Sequence, residues 1–172
     1  IILKDESLEV VKRTIAAAKY KDYVFITCSG HGEHRLSSLN DNTVMYLNEK
    51  DTIQINEINP QNKRHLVIVD VCRTLVREVN RYTALYESGM ENLINKSYID
   101  YRKVFENAIM QTTEGRIVVY SCDINQTAGD DGKGGVFTQE LLKSHNNFRP
   151  NRDLYGIVNI EQAFTVAKQK TY

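Results

Sequence analysis

Apolar positions recur at helical spacing in four stretches of the chain and collect into short unbroken runs in three others. Near the start, Leu8, Val11, Ile15 and Ala18 fall at i, i+3, i+7 and i+10, the stripe of one buried face. With Asp5 or Ser7 available as a cap, that stripe predicts a helix over residues 6–19. The runs at 23–28, 65–71 and 116–121 are short, apolar and β-branched, and predict strands buried on both faces of a parallel sheet. TVMYLN from Thr43 and TIQIN from Thr52 alternate with polar residues and predict peripheral strands or a hairpin. Helical stripes return at Val104, Phe105, Ala108 and Ile109, at Phe137 and Leu141, and at Ile160, Ala163, Phe164 and Ala167. Asn159 opens the last of these, with Gln162 three residues on.

The resulting order is helix, strand, strand, helix, strand, helix, helix. Such alternation predicts an α/β fold, a parallel sheet with right-handed crossovers and helices on both faces. Three buried strands are few for a sheet of this kind, so one strand is expected to lie outside the segment. The abrupt start on Ile1-Ile2-Leu3 and the stop at Tyr172 read as the trimmed ends of a longer polypeptide. From Thr74 to Tyr98 the chain is polar and without period, longer than an ordinary connection, which predicts a functional or mobile loop.

Composition narrows the function classes. The 172 residues are enough for one domain with its own core. Lys and Arg together number 22, as do Asp and Glu, so no one-sided field draws the chain to nucleic acid or to an anionic membrane surface. Cys28, Cys72 and Cys122 show no paired spacing, and neither a leader nor an eighteen-residue apolar run occurs. A reduced, cytoplasmic protein is the expectation.

In open α/β sheets, ligands bind beyond the carboxyl ends of the strands. VFITCSGHGEH places His31 there, between Gly30 and Gly32, and HLVIVDVC places Cys72 at the end of the next core strand. A thiolate is a nucleophile, and a neighbouring imidazole can take its proton and later deliver it to a leaving amine. The flanking glycines would let a substrate backbone approach and leave the Gly32 N–H free to join the Cys72 N–H as an oxyanion hole. Each residue alone has an ordinary reading, a buried thiol or a glycine turn; their conjunction is what points to chemistry. Cys28 and Cys122 are expected to be core thiols, His65 to be exposed or hydrogen-bonded, and His145 to suit the end of a helix.

Metal and phosphate chemistry are weakly supported. Cys28-x2-His31-x2-His34 lacks the second ligand pair of a structural zinc site, and Asp41 and Asp51 are too sparse for calcium. The glycines around Lys133 do not have phosphate-loop spacing, which also disfavours a nucleotide-binding α/β domain. No cofactor and no metal are expected.

SGHG at Ser29 to Gly32, DVCR at Asp70 to Arg73, and YSCDINQTAGDDGKGGVFTQELL from Tyr120 to Leu142 together resemble the clan of caspases, metacaspases and paracaspases. Caspases carry the nucleophile in Q-A-C-[RQG]-G with the histidine about 50 residues upstream; here His31 and Cys72 are 41 apart. The resemblance implies a caspase-like parallel-sheet sandwich with helices on both faces, lacking its first strand and helix. It makes residues 1–172 one peptidase domain: 1–73 like the large subunit, 74–98 the connection that many members cut, and 99–172 like the small subunit. Arg77, Arg81 and Lys96 in that connection are the expected sites of any activating cut.

By position, Cys72 becomes the nucleophile, His31 the general acid/base, and the Gly32 and Cys72 amides the oxyanion hole. Acid-specific caspases have Gln two residues before the nucleophile, whereas metacaspases and paracaspases have Asp, as Asp70 is here; that implies Arg or Lys at P1. Asp70 shares a strand face with Cys72, Ser29 is placed likewise before His31, and Asp123 after the third strand offers a second carboxylate to the S1 pocket. The competing role for Asp70 is to pair with Arg73 or cap a turn. Arg73-Thr74 stands where metacaspases have His-Ser-Gly, which points to bacterial caspase-like proteins as nearest relatives. The implied partners are a protein or peptide substrate and regulatory domains outside the segment. The alternative is a catalytically inactive caspase-like scaffold.

Overall fold

The structure is a computed structural model that describes residues 1–36, 41–76, 101–132, 134–144 and 160–171. Most of the irregular connection, with Arg77, Arg81 and Lys96, lies outside the described residues, as do Lys133, His145, Asn159 and the side chains of Val104 and Phe105.

Helix α1 (Leu8–Ala17) begins where Ser7 stays extended and its Oγ accepts the Val10 N–H at 3.4 Å, and a 3-10 turn (Ala18–Tyr20) ends it. Strands β1 (Val24–Gly30), β5 (Arg64–Val71) and β7 (Gly115–Tyr120) form a parallel sheet in the order β1-β5-β7. Helix α2 (Tyr101–Met110) lies in the connection from β5 to β7, and α3 (Val136–Lys143) and α4 (Ile160–Thr171) follow β7.

Side-chain alternation along β5 divides the core in two. Val67, Val69 and Val71 pack with Val11, Leu8 and Ile15 of α1 and with Ile53, Ile55 and Ile58, while Ile68 and Leu66 pack with Phe137, Leu141, Ala163 and Ala167 of α3 and α4. Helices thus cover both faces of the middle strand, as the apolar runs predict. At the two outer strands the prediction of double burial is only half met. Phe25 is 57 % exposed and Ile117 49 %, because each flanks β5 on one side and has no further described strand on the other.

A second sheet holds β2 (Gly32–Leu36), β3 (Asp41–Tyr46), β4 (Thr52–Gln54) and β6 (Leu75–Val76), in the order β4-β3-β2-β6. The pairs β2-β3 and β3-β4 are antiparallel, and β2-β6 is parallel. The two alternating segments near Thr43 and Thr52 are the peripheral strands the pattern predicts. No helix among the described residues is long and apolar enough to cross a membrane.

His65 departs from expectation. It sits on the middle strand, in register with Val24 and Arg116, is only 8 % exposed, and among the described residues neither ring nitrogen makes a hydrogen bond of ordinary geometry. Burial holds its imidazole below the ordinary value; the Asn62 backbone opposes this, and the Arg116 charge adds to it. Below about pH 6.5 the unfolded chain's imidazole takes up a proton that the folded one resists. This share of the stability is therefore intact above that pH and is lost as the pH falls toward the folded value. Urea midpoints measured from pH 7.5 to 5 should fall, and His65→Gln should flatten the slope; an identical slope in the variant would remove His65 as the cause.

Candidate active site

The parallel register between β1 and β5 ends at Gly30 opposite Val71. His31 and Cys72 are the residues that directly follow the two strands, 41 positions apart in sequence and just past neighbours that in a sheet run about 4.8 Å apart. One pair earlier, Ser29 stands opposite Asp70. Ser121 continues the row on the third strand, its N–H donating to the Val69 carbonyl at 2.9 Å. His31, Cys72, Ser29 and Asp70 are therefore gathered at one carboxyl edge.

Exposure separates the three thiols. Cys28 is buried in the core against Val69, and burial pushes its thiol up to about 12. Cys122 is 4 % exposed and raised by burial as well. Cys72 alone is only half-buried, as a nucleophile must be to meet a substrate, and His31 is exposed. The Cys28, His31 and His34 side chains do not converge: Cys28 belongs to the core, and His34, 1 % exposed, has Nδ1 at 3.1 Å from Thr43 Oγ1. No group of three or more His, Cys, Asp or Glu that could hold a metal occurs among the described residues.

The strand amides at this edge alternate in direction. Tyr46 N–H donates to the His31 carbonyl at 3.0 Å, on the β3 side of β2, while His34 N–H donates to the Thr74 carbonyl at 2.9 Å, on the β6 side. Successive strand amides point to opposite sides, so the Gly32 N–H, two residues before His34, aims toward the chain leaving Cys72. The side chain that Gly32 lacks has an internal reason too. A Cβ there would lie 2.6 Å from Val71 Cγ2 and 2.8 Å from the Val44 carbonyl oxygen, so the glycine lets the two sheets close on each other.

Asp70 is 2 % exposed, on the face opposite Val71. Its Oδ2 accepts the Thr138 N–H at 2.8 Å and the Thr138 hydroxyl at 2.7 Å, so a carboxylate from the middle strand caps α3, whose own N-cap, Gly135, has no side chain to do so. A Cβ on Gly135 would fall 1.9 Å from that oxygen. Oδ1, also buried, has no hydrogen-bond partner among the described residues. Asp123 stands apart from this: its side chain is 73 % exposed and 3.8 Å from Lys168 Nζ.

Sequence reasoning considered Arg73 only as a partner for Asp70, whereas Asp70 caps α3 and Arg73 makes other contacts. Its N–H donates to the Gln126 carbonyl at 2.9 Å and its carbonyl accepts from Asn125 at 2.8 Å, which folds the loop after β7 against the residue following Cys72. Cys72 Sγ lies 3.8 Å from the Ala128 carbonyl oxygen in the same loop. The Arg73 guanidinium sits over the Tyr120 ring, 4.1 Å from its centroid. The partners of Arg73, Thr43 and Thr138 come from distant segments, which no local sequence pattern reveals.

A protein-family model described as a caspase domain matches residues 2–171. No curated protein matches the chain.

Proposed function

The chain belongs to the caspase-domain family of cysteine peptidases, and from that premise we propose that it is an endopeptidase in which Cys72 attacks the scissile carbonyl and His31 shuttles the proton. The observation that carries this reading is the placing of an exposed imidazole and a half-buried thiol just beyond the same register pair, Gly30 and Val71. His31 takes the Cys72 proton as attack begins, the Gly32 and Cys72 amides receive the developing oxyanion, and His31 returns the proton to the leaving amine. Water then resolves the acyl-enzyme with the same imidazole as base.

The proposal extends to Arg or Lys at P1. Its support is the unpartnered Asp70 Oδ1: one oxygen is held by Thr138, and the other is a buried acceptor whose missing partner a guanidinium or ammonium would supply. Ser29, in register with Asp70, would border that pocket, and Asp123, an exposed carboxylate past β7, would be its second acidic group. The burial of Asp70 and its use as a helix cap favour a second reading, a catalytically silent caspase-like scaffold. Matched fluorogenic peptides with Arg, Lys, Gln or Asp at P1 decide between them. Turnover of the Arg and Lys peptides above the other two is the expected result. Preference for Asp would overturn the basic specificity, and no turnover of any peptide would leave the scaffold.

A further inference from the structure

We propose that Arg73 is a positioning residue that fastens the strand bearing Cys72 to the hairpin bearing His31, acting through Thr43; this rests on the Cys72–His31 reading above. Both reactive residues follow paired strands of the first sheet, but His31 is also the residue at which the chain passes into the second. His31 travels with the second sheet, since its carbonyl is held by Tyr46 of β3 and β2 starts at the next residue. Cys72 travels with the first, as the direct continuation of β5. Past the last β1-β5 pair, their alignment depends also on what joins the sheets at this edge, and the two-pair ladder between β2 and β6 is short.

Arg73 spans the junction. Its Nε donates to Thr43 Oγ1 at 3.0 Å, on β3, and its Nη1 donates to the Cys122 carbonyl at 3.1 Å, just past β7, with Tyr120 of β7 beneath the plane. Thr43 is 4 % exposed and its hydroxyl also meets the buried His34 Nδ1 at 3.1 Å, so the anchor is itself fixed on the hairpin. A planar guanidinium stacks on a ring and donates in two directions at once; a lysine ammonium on a flexible stem does not reproduce that fork. Reactive groups must be held to within about 1 Å, and a misplacement of that size costs on the order of 10²-fold in rate.

The test uses Arg73→Met, Arg73→Lys, Thr43→Val, Thr43→Ser and the double variant Arg73→Met with Thr43→Val, assayed well below their melting temperatures. Two quantities are read: kcat and KM on the P1 Arg peptide, and the rate at which iodoacetamide alkylates Cys72 at pH 7, followed by mass spectrometry with His31→Ala as reference. Arg73→Met, Arg73→Lys and Thr43→Val should lose roughly tenfold or more in kcat and in alkylation rate while KM holds, and Thr43→Ser should keep both. The double variant should be no worse than the poorer single one, because each change cuts the same tether. If His31→Ala slows alkylation but the Arg73 and Thr43 variants react like the wild type, the tether is wrong and the dyad stands. If His31→Ala leaves alkylation unchanged, the dyad reading fails and the tether with it.

Discussion

Replacing Cys72 with Ala is expected to bring peptide hydrolysis down to background, and replacing His31 with Ala to lower kcat/KM by roughly 10²–10⁴-fold, with circular dichroism unchanged in both. The first change removes the atom that forms the acyl intermediate, so no covalent route is left. The second leaves the thiol but takes away the group that accepts its proton and protonates the leaving amine. Neither should unfold the chain: Cys72 is half-buried at the end of β5, outside both hydrophobic clusters, and His31 is exposed between β1 and β2. Comparable hydrolysis by Cys72→Ala in a matched preparation would end the mechanism.

Asp70→Asn should cost P1 Arg and Lys substrates at least about tenfold in kcat/KM and cost a P1 Gln substrate far less. At an effective dielectric of about 20, a unit-charge pair about 4 Å apart attracts by roughly 4 kcal/mol before desolvation, and half of that already exceeds tenfold in rate. The amide keeps the size of the side chain, and its oxygen still accepts from Thr138, so the cap on α3 survives and the loss reports charge. An equal loss for Arg, Lys and Gln peptides would instead assign Asp70 to holding α3 in place. Thermal unfolding of the variant separates the two cases, since a lost cap lowers Tm by an amount that charge recognition alone would not.

Much of this site was legible because its chemistry sits where apolar runs end. Val67 to Val71 announces a buried strand, and Cys72 is the residue that follows it; Val24 to Cys28 does the same for His31. The second sheet was only partly legible. Gly32–Leu36 reads GEHRL, and its single buried side chain is His34, which is accommodated by a hydrogen bond to Thr43 and not by hydrophobicity. No apolar pattern marks such a strand. Leu75–Val76 is two residues long, below the length at which alternation means anything. The remaining gaps are long-range. Asp70 meets Thr138 across 68 positions, and Arg73 meets Thr43 across 30 and Cys122 across 49, so only the folded chain brings those partners together. His65 is the reverse case, where polarity suggested exposure or a hydrogen bond and strand register enforced burial.

The most direct measurement is covalent capture. A peptidyl electrophile with Arg at P1 is incubated with the wild-type protein and the adduct is located by mass spectrometry, beside the same peptide with Asp at P1. The account predicts one adduct, on Cys72, formed with loss of hydrolytic activity, dependent on His31 and faster for Arg than for Asp. Modification of Cys28 or Cys122 in place of Cys72, or an unmodified Cys72 in folded protein, would contradict it.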